Sequence, residues 1–75
     1  MSMEQNEARG EALRHILGLL TEDDVAALLG VKTGTLANWR VRGEGPRYTK
    51  AGKNIFYRRV AIEDYLERQE AESAR

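Results

Sequence analysis

The chain has 75 residues, a formal net charge of zero, one histidine and no cysteine. That length fits one small domain and leaves no room for a deep catalytic pocket beside a separate binding module, and without cysteine there is no disulfide framework or thiolate metal site to reinforce the core. The zero charge hides a segregation: from Lys32 to Arg59 eight basic residues stand against Glu44 alone, a net +7, while the flanks hold four basic and eleven acidic residues, a net −7.

Residues 1–7 are polar and expected to fray. From Ala8 the apolar positions Ala12, Leu13, Ile16, Leu17 and Leu20 recur at helical spacing, which predicts a helix over 8–18 with one buried stripe and a polar face of Glu11, Arg14 and His15. Thr21 reads as an N-cap, with Glu22, Asp23 and Asp24 at the positive end of the helix dipole, so a second helix is expected over 22–29. Val25, Leu28 and Leu29 would face inward. Gly30 can close that helix in the left-handed conformation, and Thr33 reads as the cap of the next. The short interval between them is the tight turn that sets two helices at a steep angle, giving a helix-turn-helix over 21–42. In its second helix Leu36 and Trp39 share a face, with Arg40 beside them, and Gly34, Ala37, Asn38, Val41 and Arg42 are left on the other.

After GEGP the periodicity changes. Pro46 forbids continuing the helix, and RYTK, AGKN and IFYRR read as strand, turn and strand over 47–59. Tyr48, Ile55 and Tyr57 are expected on the buried face of this hairpin, and Lys50, Lys53 and Asn54 at its tip. A last helix over 60–71, with Ile62, Tyr65, Leu66 and Gln69 at helical spacing, would fold back over the helix pair, and 72–75 would fray. The expected fold is mainly α with a small β-hairpin, a winged helix-turn-helix with Leu28, Leu36, Trp39, Tyr57 and Tyr65 in the core.

Such an arrangement can read DNA. A single helix enters the major groove, where each base pair offers a distinct donor and acceptor pattern. Lys32, Thr33 and the first N–H groups of the helix can hold a phosphate. Asn38 suits adenine, Arg42 guanine or a phosphate, and Thr35 either kind of contact; Gly34, Ala37, Arg40 and Val41 complete the expected recognition surface. The tip residues Lys50, Lys53 and Asn54 would meet an adjacent minor groove, and Arg47, Arg58 and Arg59 the flanking backbone. A regular strand would send Arg58 and Arg59 to opposite sides. Trp39 and the tyrosines read as core rather than as stacking platforms or nucleophiles. His15, the lone histidine, makes neither a metal site nor a catalytic base, so no enzyme, cofactor, metal or small-molecule ligand is expected. With no long apolar run and no basic, apolar leader, a cytoplasmic protein without membrane contact is expected.

The run LTEDDVAALLGVKTGTLANWRVRGEGPRYTKAGKNIFYRRVAIEDYL resembles the excisionase-type, MerR-like winged-helix family of small phage and mobile-element proteins. The likeness lies in LTEDDVAALLGV, TLANWR, the GEGP step, the glycine of KAGKNIFYRR and the closing IEDYL. It implies binding to double-stranded DNA as a recombination directionality factor, which self-associates cooperatively on several sites, bends DNA and assists an integrase. Alternatives are a small transcriptional regulator or, in another class, a protein-interaction or DNA-packaging adaptor. The long dimerisation helix and effector domain of full MerR regulators have no counterpart after Leu66, which favours a minimal accessory protein. The helix over 8–18 lies outside the likeness; it is expected to cover the helix pair, the alternative being contact with a neighbouring protomer or a recombinase.

Overall fold

The computed structural model describes residues 3–74. Its elements run α1 (Met3–Leu17), β1 (Leu19–Thr21), α2 (Glu22–Leu29), α3 (Thr33–Arg42), β2 (Thr49–Ala51), β3 (Asn54–Arg58) and α4 (Arg59–Ser73). This is a winged helix-turn-helix: helices carry most of the chain, and the wing is part of a three-stranded antiparallel sheet in the order β1-β3-β2.

Local chemistry sets the helix boundaries. The Thr21 hydroxyl accepts from the Asp24 N–H at 3.1 Å while the Asp24 carboxylate accepts from the Thr21 N–H at 2.9 Å, a reciprocal capping box that opens α2. Gly30, at φ 70°, closes it, and the Val31 N–H returns to the Ala26 carbonyl at 3.0 Å. The start of α3 departs from expectation: Lys32 is the N-cap, with no side-chain cap bond, and Thr33 is the first helical residue. Its hydroxyl therefore does not close the helix end. Gly43, at φ 70°, ends α3, and the Glu44 N–H turns back to the Trp39 carbonyl at 2.7 Å.

The GEGP step is built around Trp39. Gly45 has φ 77°, and a Cβ there would lie 2.5 Å from the Trp39 ring. Gly45→Ala therefore combines left-handed strain of about 1–2 kcal/mol with displacement of the indole, whereas Gly30→Ala, with open space around its Cβ, carries the strain alone. In urea melts Gly45→Ala is expected to lose clearly more stability than Gly30→Ala; equal losses would show that the indole yields freely. The hairpin turn is Gly52–Lys53, with Gly52 at φ 61° and no non-glycine residue at positive φ among those described, the preference of a two-residue type II′ turn.

Val25, Ala26, Leu36, Tyr57, Ala61 and Ile62 are buried, with Leu20, Leu29, Val31, Trp39 and Ile55 packed around them. Trp39 meets Tyr65 of α4 with ring centroids 6.1 Å apart, tilted by 39°, which docks the last helix on the helix pair. Several expected core positions fail. Leu28 is 59% exposed because α2 turns Val25 and Ala26 to the core instead. Tyr48, expected inward, is exposed, since it precedes β2 and has no strand neighbour to align it.

Two larger differences concern the N-terminal half. Leu19–Thr21 forms a strand that pairs with β3, Leu20 opposite Tyr57, where the sequence suggested only a helix end. The first helix starts at Met3 rather than Ala8, so residues 3–7, expected to fray, are helical; the expectation for residues 1 and 2 lies outside the described residues. Nor does the first helix cover the helix pair: its neighbour is β1, which follows it directly in the chain, and its apolar positions Ala12, Leu13, Ile16 and Leu17 are exposed. The core beneath β3 is formed by Val25, Leu36, Tyr57 and Ile62, and no residue of that stripe belongs to it. The last helix likewise runs to Ser73, past the expected end at 71, and Leu66 stays 45% exposed. Among the described residues no helix is long and apolar enough to cross a membrane.

Candidate nucleic-acid interface

Burying Leu36 and half-burying Trp39 fixes the rotation of α3. Gly34, Asn38, Val41 and Arg42 are exposed on its outer face, Val41 by 87%, with the half-buried Ala37 along the edge. Lys32 and Thr33 are exposed at its N-terminus, and Thr35 is half-buried. Small residues among the longer ones leave this face open to close approach by a second surface.

Arg40 is not part of that face. Its guanidinium donates to the Glu22 carboxylate at the start of α2 and, from the same Nη1, to the Tyr57 hydroxyl at 3.2 Å, and it lies 5.8 Å from the Tyr48 ring centre. Its side chain is only 18% exposed. Burial opposes the charge, but the hydrogen bonds and the nearby carboxylate outweigh it and raise the Arg40 pKa above the ordinary arginine value. Expected as a DNA contact, Arg40 instead ties α2, α3 and β3 together. Glu22, read as a helix-dipole residue, is its counter-ion. The sequence signal was there: an acid opening α2 and an arginine beside the Leu36–Trp39 face both lie toward the helix pair's junction.

The other basic residues between Lys32 and Arg59 separate into three groups. Arg42 has Glu44 at 3.7 Å and Arg47 has Asp64 at 2.6 Å, both exposed ion pairs of the kind that exchange readily with water. Lys32, Lys50 and Lys53 are exposed and have no carboxylate within ion-pair distance among the described residues. With Asn54 at its far side, the Gly52–Lys53 turn carries its lysines on a narrow projection. Arg58 and Arg59 do not diverge as a regular strand would make them. The strand ends at Arg58 and α4 begins at Arg59, and both line one hollow beside the C-terminal end of α1, with Leu17, Gly18 and Val60.

The described residues contain no group of histidine and carboxylate side chains that could hold a metal ion. Comparison with curated proteins finds no match, and comparison with solved structures finds none. A family model described as a helix-turn-helix domain matches residues 19–70, from β1 through most of α4, and leaves only α1 and the chain ends outside. A tight turn between α2 and α3, an exposed outer face on α3 and a lysine-bearing hairpin are the parts such a domain brings to double-stranded DNA. The chain belongs to this helix-turn-helix family of DNA-binding domains.

Proposed function

We infer that the protein is an excisionase-type, MerR-like recombination directionality factor, which binds several neighbouring DNA sites, bends the DNA and helps an integrase assemble the excision complex. The observation that carries the reading is the outer face of α3, open around Asn38 and Arg42 and followed closely by a lysine-tipped hairpin. The family includes excisionase-type DNA-binding proteins. The protein supplies geometry and the integrase cuts. Bending a site costs on the order of 1–6 kcal/mol, which the contacts of several bound copies offset; one module of this size offers a small interface, so binding in multiples follows.

In this reading Asn38 addresses a base edge, Arg42 leaves Glu44 for a base or phosphate, and Lys32, Thr33 and Thr35 hold the backbone at the helix start. Lys50, Lys53 and Asn54 meet the neighbouring groove, and Arg47 exchanges Asp64 for a phosphate. Removing both wing lysines tests this directly. Lys50→Ala with Lys53→Ala is expected to lower the slope of log affinity against log salt by about 2, with little change in sequence preference. An unchanged slope would place the wing off the DNA.

A footprint across the ends of the mobile element carrying the gene, with a bend assay, tests the function itself. Cooperative protection of several repeats beside an attachment site, with bending, is the expected result. Protection of a single promoter operator would make the protein a transcriptional regulator. Absence of protection even at low salt would turn the basic segment toward a protein partner, as in an adaptor.

A further inference from the structure

Tyr48 stands at the base of the wing, between the end of α3 and the start of β2, and is 47% exposed where Tyr57 is only 1% exposed. The chain around it is well fixed. Gly45 lies against the Trp39 ring, the buried Pro46 has its φ set by its own ring, and Thr49 opens β2 opposite Phe56. The Arg40 guanidinium lies 5.8 Å from the Tyr48 ring centre and is itself tied to Glu22 and Tyr57, so the phenol rests against a cation that is held in place. Its hydroxyl has no hydrogen-bond partner among the described residues.

We propose that the Tyr48 hydroxyl donates a hydrogen bond to a DNA backbone phosphate between the groove entered by α3 and the one met by the wing. This contact rests on the reading that α3 and the wing both meet DNA. Tyr48 follows Arg42 by six residues and precedes Lys50 by two, so a duplex held by both elements passes the tyrosine between them. A phenol offers a single O–H at the end of a rigid ring, which suits a phosphate oxygen and carries no sequence information. A ring already resting against Arg40 gives up little freedom when it binds. The hollow beside it is no trap for a small anion. Arg40, Arg47 and Arg68 border it together with Glu44, and Arg47 and Arg68 share a neighbouring hollow with Asp64 and Glu67. Three cations against three carboxylates leave no net charge there. The hydroxyl therefore serves a phosphate that α3 and the lysines have already brought up, and its part is to fix the wing base against the backbone.

The test compares Tyr48→Phe with the parent chain on two probes, a short duplex of mixed sequence and a duplex selected by the parent from a random pool. Binding is read by fluorescence anisotropy over a range of salt, with urea midpoints as a check of folding. Tyr48→Phe keeps the ring beside Arg40 and loses no hydrogen bond within the chain, so its midpoint should match the parent's. Its affinity is expected to fall by about tenfold, the loss of one hydrogen bond to a charged group. The loss should be the same on both duplexes, because a phosphate carries no sequence. The salt slope should stay unchanged, because no cation has been removed. On the selected duplex, ethylation of one phosphate should hinder the parent and cease to hinder Tyr48→Phe. Parental affinity in Tyr48→Phe overturns the proposal and leaves the ring as a cover for Arg40, while binding by the parent keeps the DNA reading intact. A loss confined to the selected duplex also overturns it, since the hydroxyl would then meet a base. Failure of the parent to bind either duplex overturns the DNA reading and this contact together.

Discussion

Trp39→Ala is expected to remove a large share of the protein's stability. The indole is only half-buried, but it is the piece on which three others rest: it shares a helix face with Leu36, meets Tyr65 of α4 at 6.1 Å and lies against the Gly45 backbone. Truncating a packed tryptophan costs about 3–5 kcal/mol, and a chain of this length has roughly 4–11 kcal/mol in total. Urea unfolding followed by circular dichroism is expected to start from a partly unfolded baseline, or to show a midpoint far below that of the parent. Trp39→Phe keeps an aromatic ring against Tyr65 and should recover much of the loss. A change below about 1 kcal/mol, the centre of ordinary point-mutant effects, would mean that α4 is held by Ile62 and Ala61 alone.

The second large effect is on DNA. Asn38→Ala and Arg42→Ala are each expected to weaken binding to the native site by about 1–3 kcal/mol, roughly 5- to 150-fold, with unfolding midpoints unchanged because both side chains are exposed. They should differ in kind. Loss of Asn38 is expected to relax base preference at one position and leave the salt dependence alone. Loss of Arg42 lowers the salt slope by about 1 if it holds a phosphate, or relaxes specificity if it holds guanine. Arg40→Ala provides the contrast: its guanidinium is engaged with Glu22 and Tyr57, so it acts on folding rather than on the salt slope. Native-site binding at parental affinity by both Asn38→Ala and Arg42→Ala would mean that the outer face of α3 does not read DNA.

The sequence by itself determined the parts whose causes are local. Thr21 with Asp24, Gly30, the GEGP step and the hairpin glycine each act on backbone within a few residues, so α2, the tight turn, the end of α3 and the wing are legible from spacing alone. So is the outer face of α3, because Leu36 and Trp39 declare which side is buried and helical geometry assigns the rest. Only the tertiary structure decided what each remaining side chain meets. The apolar stripe of α1 is a true periodicity, yet periodicity does not say what the stripe packs against; the core of Val25, Leu36, Tyr57 and Ile62 takes in none of it. Leu19–Thr21 became a strand because Tyr57 and its neighbours offered a free edge, a pairing with residues far along the chain. Arginines in a basic run look alike in sequence. It took the approach of Glu22 and Tyr57 to turn Arg40 inward, and the strand's end at Arg58 to bring Arg58 and Arg59 to one hollow beside α1, since charge partners are set by distance through space.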